Sequence, residues 1–379
     1  MSARVVFLGH AADRTGPPMY LLSLLRHLDL SDLDVVVVLL RGGELLDDLR
    51  SLVEVRVVGE PVDLVVASPS RAAEEPARVA ARRAQLADLH DLDLVVVNTA
   101  WSIHALAWLP PGAHRLLSIV HELAAGVDDL LGPAELSRLR ASDRFVVGCR
   151  AAADLLAEGH GVERGSITLI PYGVEVGGAP GPTPPDRSAL DAGSSAFLVV
   201  AAAVPDRRKG PDLFVHLAAT ARRRRPDIAW AFRWIGAAED QPVLADARLD
   251  RSLLGAGDLV GFLPPTPRLR DHLAVADAFV LTSREDAFPL AAAEAALAGL
   301  PLLCFATGGI TDLIGTDGGA AVAFPDLEAM VGVLSRWHDD PSTRTLTGAA
   351  ARDRARRHHD VVDHAASFGA VLRQELGGA

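Results

Sequence analysis

A chain of 379 residues is longer than one hydrophobic core comfortably serves, since single cores stop growing at roughly 250–300 residues, so two domains are expected. Apolar residues make up 49% and charged residues 23%, which excludes a disordered chain and lets each half bury a core. The formal charge of −12 excludes the positive field that gathers nucleic-acid phosphates.

The N-terminus runs into ArgValValPheLeu at 4–8 with no basic region ahead of an apolar helix, so no signal peptide is expected. Short apolar runs then alternate with helical patterns: Val5 to Leu8, Val35 to Leu40, Val55 to Val58, Leu94 to Val97, Leu116 to Val120 and Phe145 to Val147. Runs apolar on both faces and separated by helices predict a parallel sheet covered on both sides. The first helix is the clearest, with Leu21, Leu24, Leu25 and Leu28 at i, i+3, i+4 and i+7. Near residue 180 the sequence becomes GGAPGPTPP, which has no periodic face and few backbone donors, and this predicts a linker. A second series follows: Phe197 to Val200, Trp230 to Ile235, Leu259 to Leu263, Ala278 to Leu281, Leu302 to Phe305 and Ala321 to Phe324. The expected organisation is a first domain over 1–178, a linker over 179–187, a second domain over 188–358, and a C-terminal helical stretch over 359–379 that is a candidate to cross back onto the first domain. The fold class is α/β, two Rossmann-like doubly wound parallel-sheet domains, with a ligand cleft expected at the strands' carboxyl ends between the facing domains.

Cys149 and Cys304 are the only cysteines and fall in different predicted domains, so neither a disulfide framework nor a thiolate metal site is expected, and a reducing cytoplasm fits. The stretch from Ala287 to Thr311 is the most membrane-like, but Pro289, Gly299, Pro301 and Gly308-Gly309 break it into loop, helix, turn and strand. Arg82 with Arg83, and the run Arg222 to Arg225, read as solvated helix faces, although such patches also leave room for peripheral membrane contact.

The chain has 36 Arg and a single Lys, Lys209, in the segment ValProAspArgArgLysGlyPro that joins an apolar run to a helix. A compact ammonium at a strand-to-helix turn suits a diphosphate, with Arg208 adding a forked donor and Gly210 allowing close backbone approach. A second constellation is SerArgGluAspAlaPheProLeuAlaAlaAlaGluAla at 283–295. There Pro289 is placed to begin a helix, amides around Phe288 to Leu290 point at an anion, and Asp286 and Glu294 stand as two acceptors for hydroxyls.

Together with AspLeuValGlyPheLeuPro at 258–264 and ThrGlyGlyIleThrAsp at 307–312, these segments resemble the family-4 retaining glycosyltransferases of GT-B fold. Further likenesses are ArgThrGlyProPro at 14–18 to the family's glycine loop, ValHisGlu at 120–122 to a strand end bearing a His near the donor sugar, and IleProTyrGlyVal at 170–174 to the segment before the linker. The resemblance implies that His121 and Asp286 contact the transferred sugar, that Glu294 holds the ribose, that Arg208 and Lys209 clamp the diphosphate, that the backbone at Gly261, Phe262 and Leu263 forms the base pocket, and that Gly16, Phe288, Pro289 and Leu290 line the donor site. The sequence departs from the pattern where GlyPro replaces a double glycine at 16–17, where Asp312 stands for the commoner Glu, and where Ala203 stands for an upstream Arg that Arg207 would replace.

AspLeuAsp occurs at 32–34 and 91–93, ahead of predicted strands rather than after them, so a metal-binding DxD is not expected, and His358-His359 lacks an i, i+4 partner. The expected activity is metal-independent, retaining transfer of a sugar from a nucleoside-diphosphate sugar to an acceptor hydroxyl, with no cofactor and no nucleic-acid partner, in the cytoplasm. The acceptor, whether glycan, lipid-linked or small-molecule hydroxyl, is not legible, and its pocket is expected in first-domain loops such as Arg41 to Glu44 and Asn98 to Ser102. A non-turning-over nucleotide-sugar or glycan-binding protein of the same fold, or a sugar-nucleotide epimerase, is the alternative.

Overall fold

The computed structural model describes residues 2–58, 76–112, 114–128, 131–176 and 187–377. The chain forms two compact units, one made of Met1–Gly173 with Val361–Ala379 and the other of Val174–Asp360. The expected linker lies outside the described residues except for Arg187.

Unit 1 is built on seven parallel strands: β1 (Ala3–Gly9), β2 (Leu33–Leu39), β3 (Glu54–Val57), β4 (Leu94–Val97), β5 (Arg115–Val120), β6 (Arg144–Val147) and β7 (Ile167–Leu169). Their order is β3-β2-β1-β4-β5-β6-β7. The central strands are apolar on both faces because helices cover both: Val5, Phe7 and Leu8 in β1 and all of β4 are buried. Helix Val361–Glu375 belongs to this unit and buries Val361, Ala365, Phe368 and Leu372, a stripe at helical spacing. His364 on that helix bonds the Tyr20 hydroxyl through Nε2 at 2.9 Å and the Pro171 carbonyl through Nδ1 at 3.0 Å. Gly369 faces Leu28, where an added Cβ would sit 3.1 Å from the Leu Cδ1, so the missing side chain permits the close approach.

Unit 2 holds six parallel strands, β8 (Phe197–Ala202), β9 (Trp230–Ile235), β10 (Val260–Leu263), β11 (Ala278–Leu281), β12 (Leu302–Phe305) and β13 (Gly319–Val322), in the order β10-β9-β8-β11-β12-β13. Phe214, Phe232, Trp234 and Phe305 pack one face; Ala292, Ala293, Ala295 and Ala296 of helix Leu290–Ala298 allow that helix close against the other.

Three expectations meet the structure here. The membrane-like stretch breaks as read, into helix Leu290–Ala298, strand β12 and the start of helix Ile310–Ile314, and no helix among the described residues is long and apolar enough to cross a membrane. Arg82 is not on a solvated face: its side chain is buried with the guanidinium 4.4 Å from the Trp108 ring centroid, because a planar, weakly hydrated cation covers an indole well. The run Arg222 to Arg225 is held by acids, Arg222 by Asp258, Arg223 and Arg224 by Glu328, and Arg225 by Asp227 and Asp339. Cys149 and Cys304 are buried and not joined by a disulfide, one in each unit.

Candidate functional site

Strand order marks where each unit can hold a ligand. In unit 1 the chain builds β2 and β3 on one side of β1 and then returns to β4 on the other; in unit 2 it does the same about β8 and β11. Ligands of open α/β sheets bind beyond the carboxyl ends of the strands at that reversal.

In unit 2 the two loops at the reversal carry the residues singled out by sequence. After β8, Asp206 Oδ1 accepts the Lys209 N–H at 2.6 Å and closes a tight turn. Gly210 then takes the left-handed conformation, φ 72° and ψ 49°. A Cβ there would stand 2.3 Å from the Thr282 carbonyl oxygen, so only glycine lets this loop press on the one after β11. The contact is fastened by Thr282 Oγ1 donating to the Gly210 carbonyl at 2.8 Å and by the Arg284 N–H donating to the Arg208 carbonyl at 2.7 Å. Replacing Gly210 by Ala is therefore expected to cost about 2 kcal/mol or more, through strain at positive φ and displacement of the loop. Urea unfolding would measure it, and a variant as stable as the parent would contradict it.

With the loops locked, the Lys209 ammonium donates to Asp286 Oδ2. Arg208 Nη1 donates to the Glu285 carbonyl at 3.1 Å and lies 3.9 Å from Asp286 Oδ1, while Nη2 lies 3.4 Å from Asp206 Oδ2. The Asp286 side chain is 5% exposed, that of Lys209 16% and that of Arg208 38%, so the guanidinium fork is the most outward of the three. The Asp286 carbonyl accepts the Gly309 N–H at 2.9 Å and Thr307 Oγ1 donates to the Ser283 carbonyl at 2.9 Å, which ties in the ThrGlyGlyIleThrAsp segment. Two cations, a carboxylate and open first-turn amides can bind a diphosphate and hold a hydroxyl.

The remaining unit 2 candidates sit around this centre. Pro289 is the N-cap of helix Leu290–Ala298, which has no side-chain cap, so the Leu290 and Ala291 amides are left for an anion while Ala292 and Ala293 bond the Pro289 carbonyl. Phe288 packs against His359 with centroids 5.1 Å apart. Glu294 is not joined to the Lys209–Asp286 pair by any recorded contact among the described residues; its carboxylate lies 4.0 Å from Arg270 Nε, and burial pushes its pKa up against the opposing pull of that guanidinium. Gly261, Phe262 and Leu263 lie in the edge strand β10, where Leu263 accepts the Gly236 and Ala237 N–H groups at 2.9 and 2.8 Å and the Phe262 ring is buried.

In unit 1, Gly16 opens helix Gly16–His27 with open space around its Cα, and the Asn98 side chain bonds the Pro17 carbonyl at 3.0 Å. His121 follows β5 directly; its ring lies 4.6 Å from that of Tyr20 and 5.0 Å from that of Tyr172. Burial drops its pKa to about 3, with His10 and His364 adding to the effect, so the imidazole is neutral across the working range. The sequence reading gave no role to the next residue. Glu122 Oε2 accepts the His121 N–H at 2.9 Å and the Ala100 N–H at 3.3 Å, and so joins the strand end to the loop after β4. Nothing local distinguishes this Glu from a surface one; the partner that shows its burial, Ala100, lies some twenty residues away.

Burial raises the Glu122 pKa to about 7, against hydrogen bonds from Ala100, Thr99 and His121 that pull it down. Because the folded value exceeds the ordinary 4.5, the native state takes up a proton that the unfolded chain does not hold between those pH values. The group's contribution to stability is therefore fully present below pH 4.5 and lost as pH rises through about 7. Relative to Glu122→Gln, the parent is expected to gain about 1–3 kcal/mol between pH 8 and pH 5. Urea unfolding of both proteins at those two pH values tests it; an unchanged difference would count against a raised carboxyl.

The described geometry has clear relatives. Residues 15–177 match a family described as Glycosyltransferase Family 4, and residues 195–340 one described as Glycosyl transferases group 1. The chain is 29% identical over 305 residues to a D-inositol 3-phosphate glycosyltransferase of Nocardia farcinica, covering 75% of this chain and 64% of that one. It is 27% identical over 280 residues to the protein of the same name from Kribbella flavida, covering 69% and 63%. The match thus spans just under two thirds of the length of these relatives. Among solved structures, HepE of Anabaena in complex with UDP-glucose superposes with a TM-score of 0.80 at 16% identity, over 98% of this chain and 99% of that one. Sucrose-phosphate synthase of Thermosynechococcus elongatus superposes with a TM-score of 0.72 at 19% identity over the whole of both chains. Two parallel-sheet domains, the switch-point loops and matches along most of the sequence agree: the chain belongs to the group 1, family-4-like glycosyltransferases of GT-B fold.

Proposed function

We propose that this chain transfers a sugar, with retention and without a metal, from a nucleoside-diphosphate sugar held by unit 2 to an acceptor hydroxyl. The observation that carries the reading is the meeting of Arg208, Lys209 and Asp286 in two interlocked loops at the reversal of the second sheet. An ammonium has three N–H donors, so Lys209 can keep Asp286 and still reach a phosphate oxygen, while the more exposed Arg208 fork takes a second. These preorganised donors meet the charge that develops on the departing diphosphate. The acceptor oxygen bonds to the anomeric carbon as its bond to the diphosphate oxygen breaks, on the same face, and the hydroxyl proton passes to the leaving phosphate. Asp286 and Glu294 are the candidate partners of sugar and ribose hydroxyls, and the β10 backbone that of the base. HepE crystallised with UDP and with UDP-glucose supports a uridine donor as the first to try.

The test is release of nucleoside diphosphate from uridine, guanosine, adenosine and thymidine diphosphate sugars, with and without a panel of acceptors, in the presence and absence of EDTA. At least one donor is expected to turn over at a rate that chelation leaves unchanged. Binding with no turnover for any pair would favour the non-catalytic alternative, and loss of turnover in EDTA would remove the metal-independent step.

A further inference from the structure

The opposite end of the second sheet carries a cavity of about 260 Å³ lined by Arg187, Ser194, Ser195, Asp277, His338 and Arg344, with Phe197 as its floor. Both guanidinium groups and both serine hydroxyls offer hydrogen-bond donors. Arg187 spends Nη1 on the Ala196 carbonyl at 2.6 Å and Nη2 on Asp277 Oδ2 at 2.8 Å. Arg344 spends Nη1 on the Trp337 carbonyl at 3.2 Å, and its Nη2 stands 3.5 Å from Asp277 Oδ1. A guanidinium has five N–H donors, so each keeps several. The one carboxylate is turned inward, its side chain 13% exposed and its Oδ2 also taken by the Leu198 N–H at 2.9 Å. Two permanent cations therefore face one carboxylate, beside two exposed hydroxyls and a His338 ring that uses Nδ1 on Asp339. Arg344 and His338 both rest against the Phe197 ring, at 5.3 and 5.6 Å, which fixes where their polar ends project.

A lining rich in donors and in net positive charge accepts a ligand that only accepts and is negative. We infer that this cavity binds a phosphoryl group, as free phosphate or as a phosphomonoester, at a site separate from the diphosphate clamp. The separation follows from the strands: Arg187, Ser194 and Ser195 precede β8 and Asp277 precedes β11, whereas the clamp residues follow those two strands. The six residues of β8 hold the two ends roughly 20 Å apart. The spare N–H groups of two forks match phosphate oxygens in direction as well as charge.

The test is thermal unfolding of the full chain in inorganic phosphate against chloride at matched ionic strength. At ten times the dissociation constant, phosphate is expected to raise the melting temperature by about 2–4 °C in the parent. The same rise is expected in Lys209→Met, because the clamp is not the site, and none in Arg344→Gln or Ser195→Asp. Ser195 is exposed, so its replacement removes no packing and keeps the test valid should Arg344→Gln fail to fold. Glycerol phosphate as a second probe separates the sources: a larger rise than with phosphate identifies an ester, an equal or smaller one the free ion. No rise in the parent, a rise lost in Lys209→Met but kept in Arg344→Gln, or a rise shared by every variant would overturn the inference.

Discussion

Replacing Lys209 by Met is expected to lower the turnover of whichever nucleotide-sugar the chain accepts by about 10²–10³-fold, the usual loss when one preorganised donor at a developing anion is removed. The effect has two parts. The ammonium is the single Lys of the chain, and Arg208 cannot replace it: a planar fork already holding the Glu285 carbonyl does not sit where a compact point charge sat. Removal also takes the nearest cation from Asp286, whose side chain is 5% exposed, and leaves it only the Arg208 guanidinium at 3.9 Å. Losing the hydrogen-bonded partner of a buried carboxylate costs about 1–3 kcal/mol, so the variant should also unfold at lower urea. Adding Asp286→Asn to Lys209→Met is expected to restore much of the stability and none of the turnover. Recovery of activity in that double variant, or parental turnover in the single one, would end the case for Lys209 as a phosphate donor.

The largest effect on stability alone is expected from Phe368→Ala. Phe368 is fully buried on the helix Val361–Glu375, where its ring belongs to unit 1 although some 200 residues separate it from most of that unit. Truncating a buried Phe costs about 3–5 kcal/mol, through lost transfer energy and the cavity left behind. The helix is further held by His364, and by Glu375 with Arg144 Nε at 2.8 Å, so the cavity has little freedom to collapse. Unit 2 lacks this contact, so its nucleotide affinity should be unchanged. Urea unfolding followed by tryptophan fluorescence and nucleotide titration together check both halves, and a loss below 1 kcal/mol would show that the helix is not part of the core of unit 1.

How much was legible follows from how local each signal is. The strands were readable because both faces of each central strand are covered, so Leu94 to Val97 or Phe279 to Leu281 is apolar without interruption. Arg208, Lys209 and Asp286 were readable because each lies just beyond such a run, where the fold itself gathers ligands. The sequence did not reveal that Asp286 is the immediate partner of Lys209, since their 77-residue separation is closed by Gly210 against Thr282. Glu294 looked like a companion of Asp286 by spacing, yet its recorded partner comes from helix Leu269–Ala274. The Gly-Pro segment near 180 lies outside the described residues, while the two units divide at Gly173 and Val174, where the Val174 N–H bonds the His359 carbonyl at 2.9 Å. Arg82 misled because it stands beside a second arginine, Arg83, and its partner, Trp108, comes from another element.

The assignment of Val361–Ala379 to the first unit makes that unit discontinuous: its seven strands are synthesised before the second unit, and the helix that covers Tyr20 and Leu28 after it. On the ribosome, the second unit is therefore able to fold while the first still presents bare apolar surface where that helix belongs. Until that helix is made, the apolar surface it covers is open to non-native association. A fragment ending near residue 178 is expected to aggregate rather than to serve as an isolated domain.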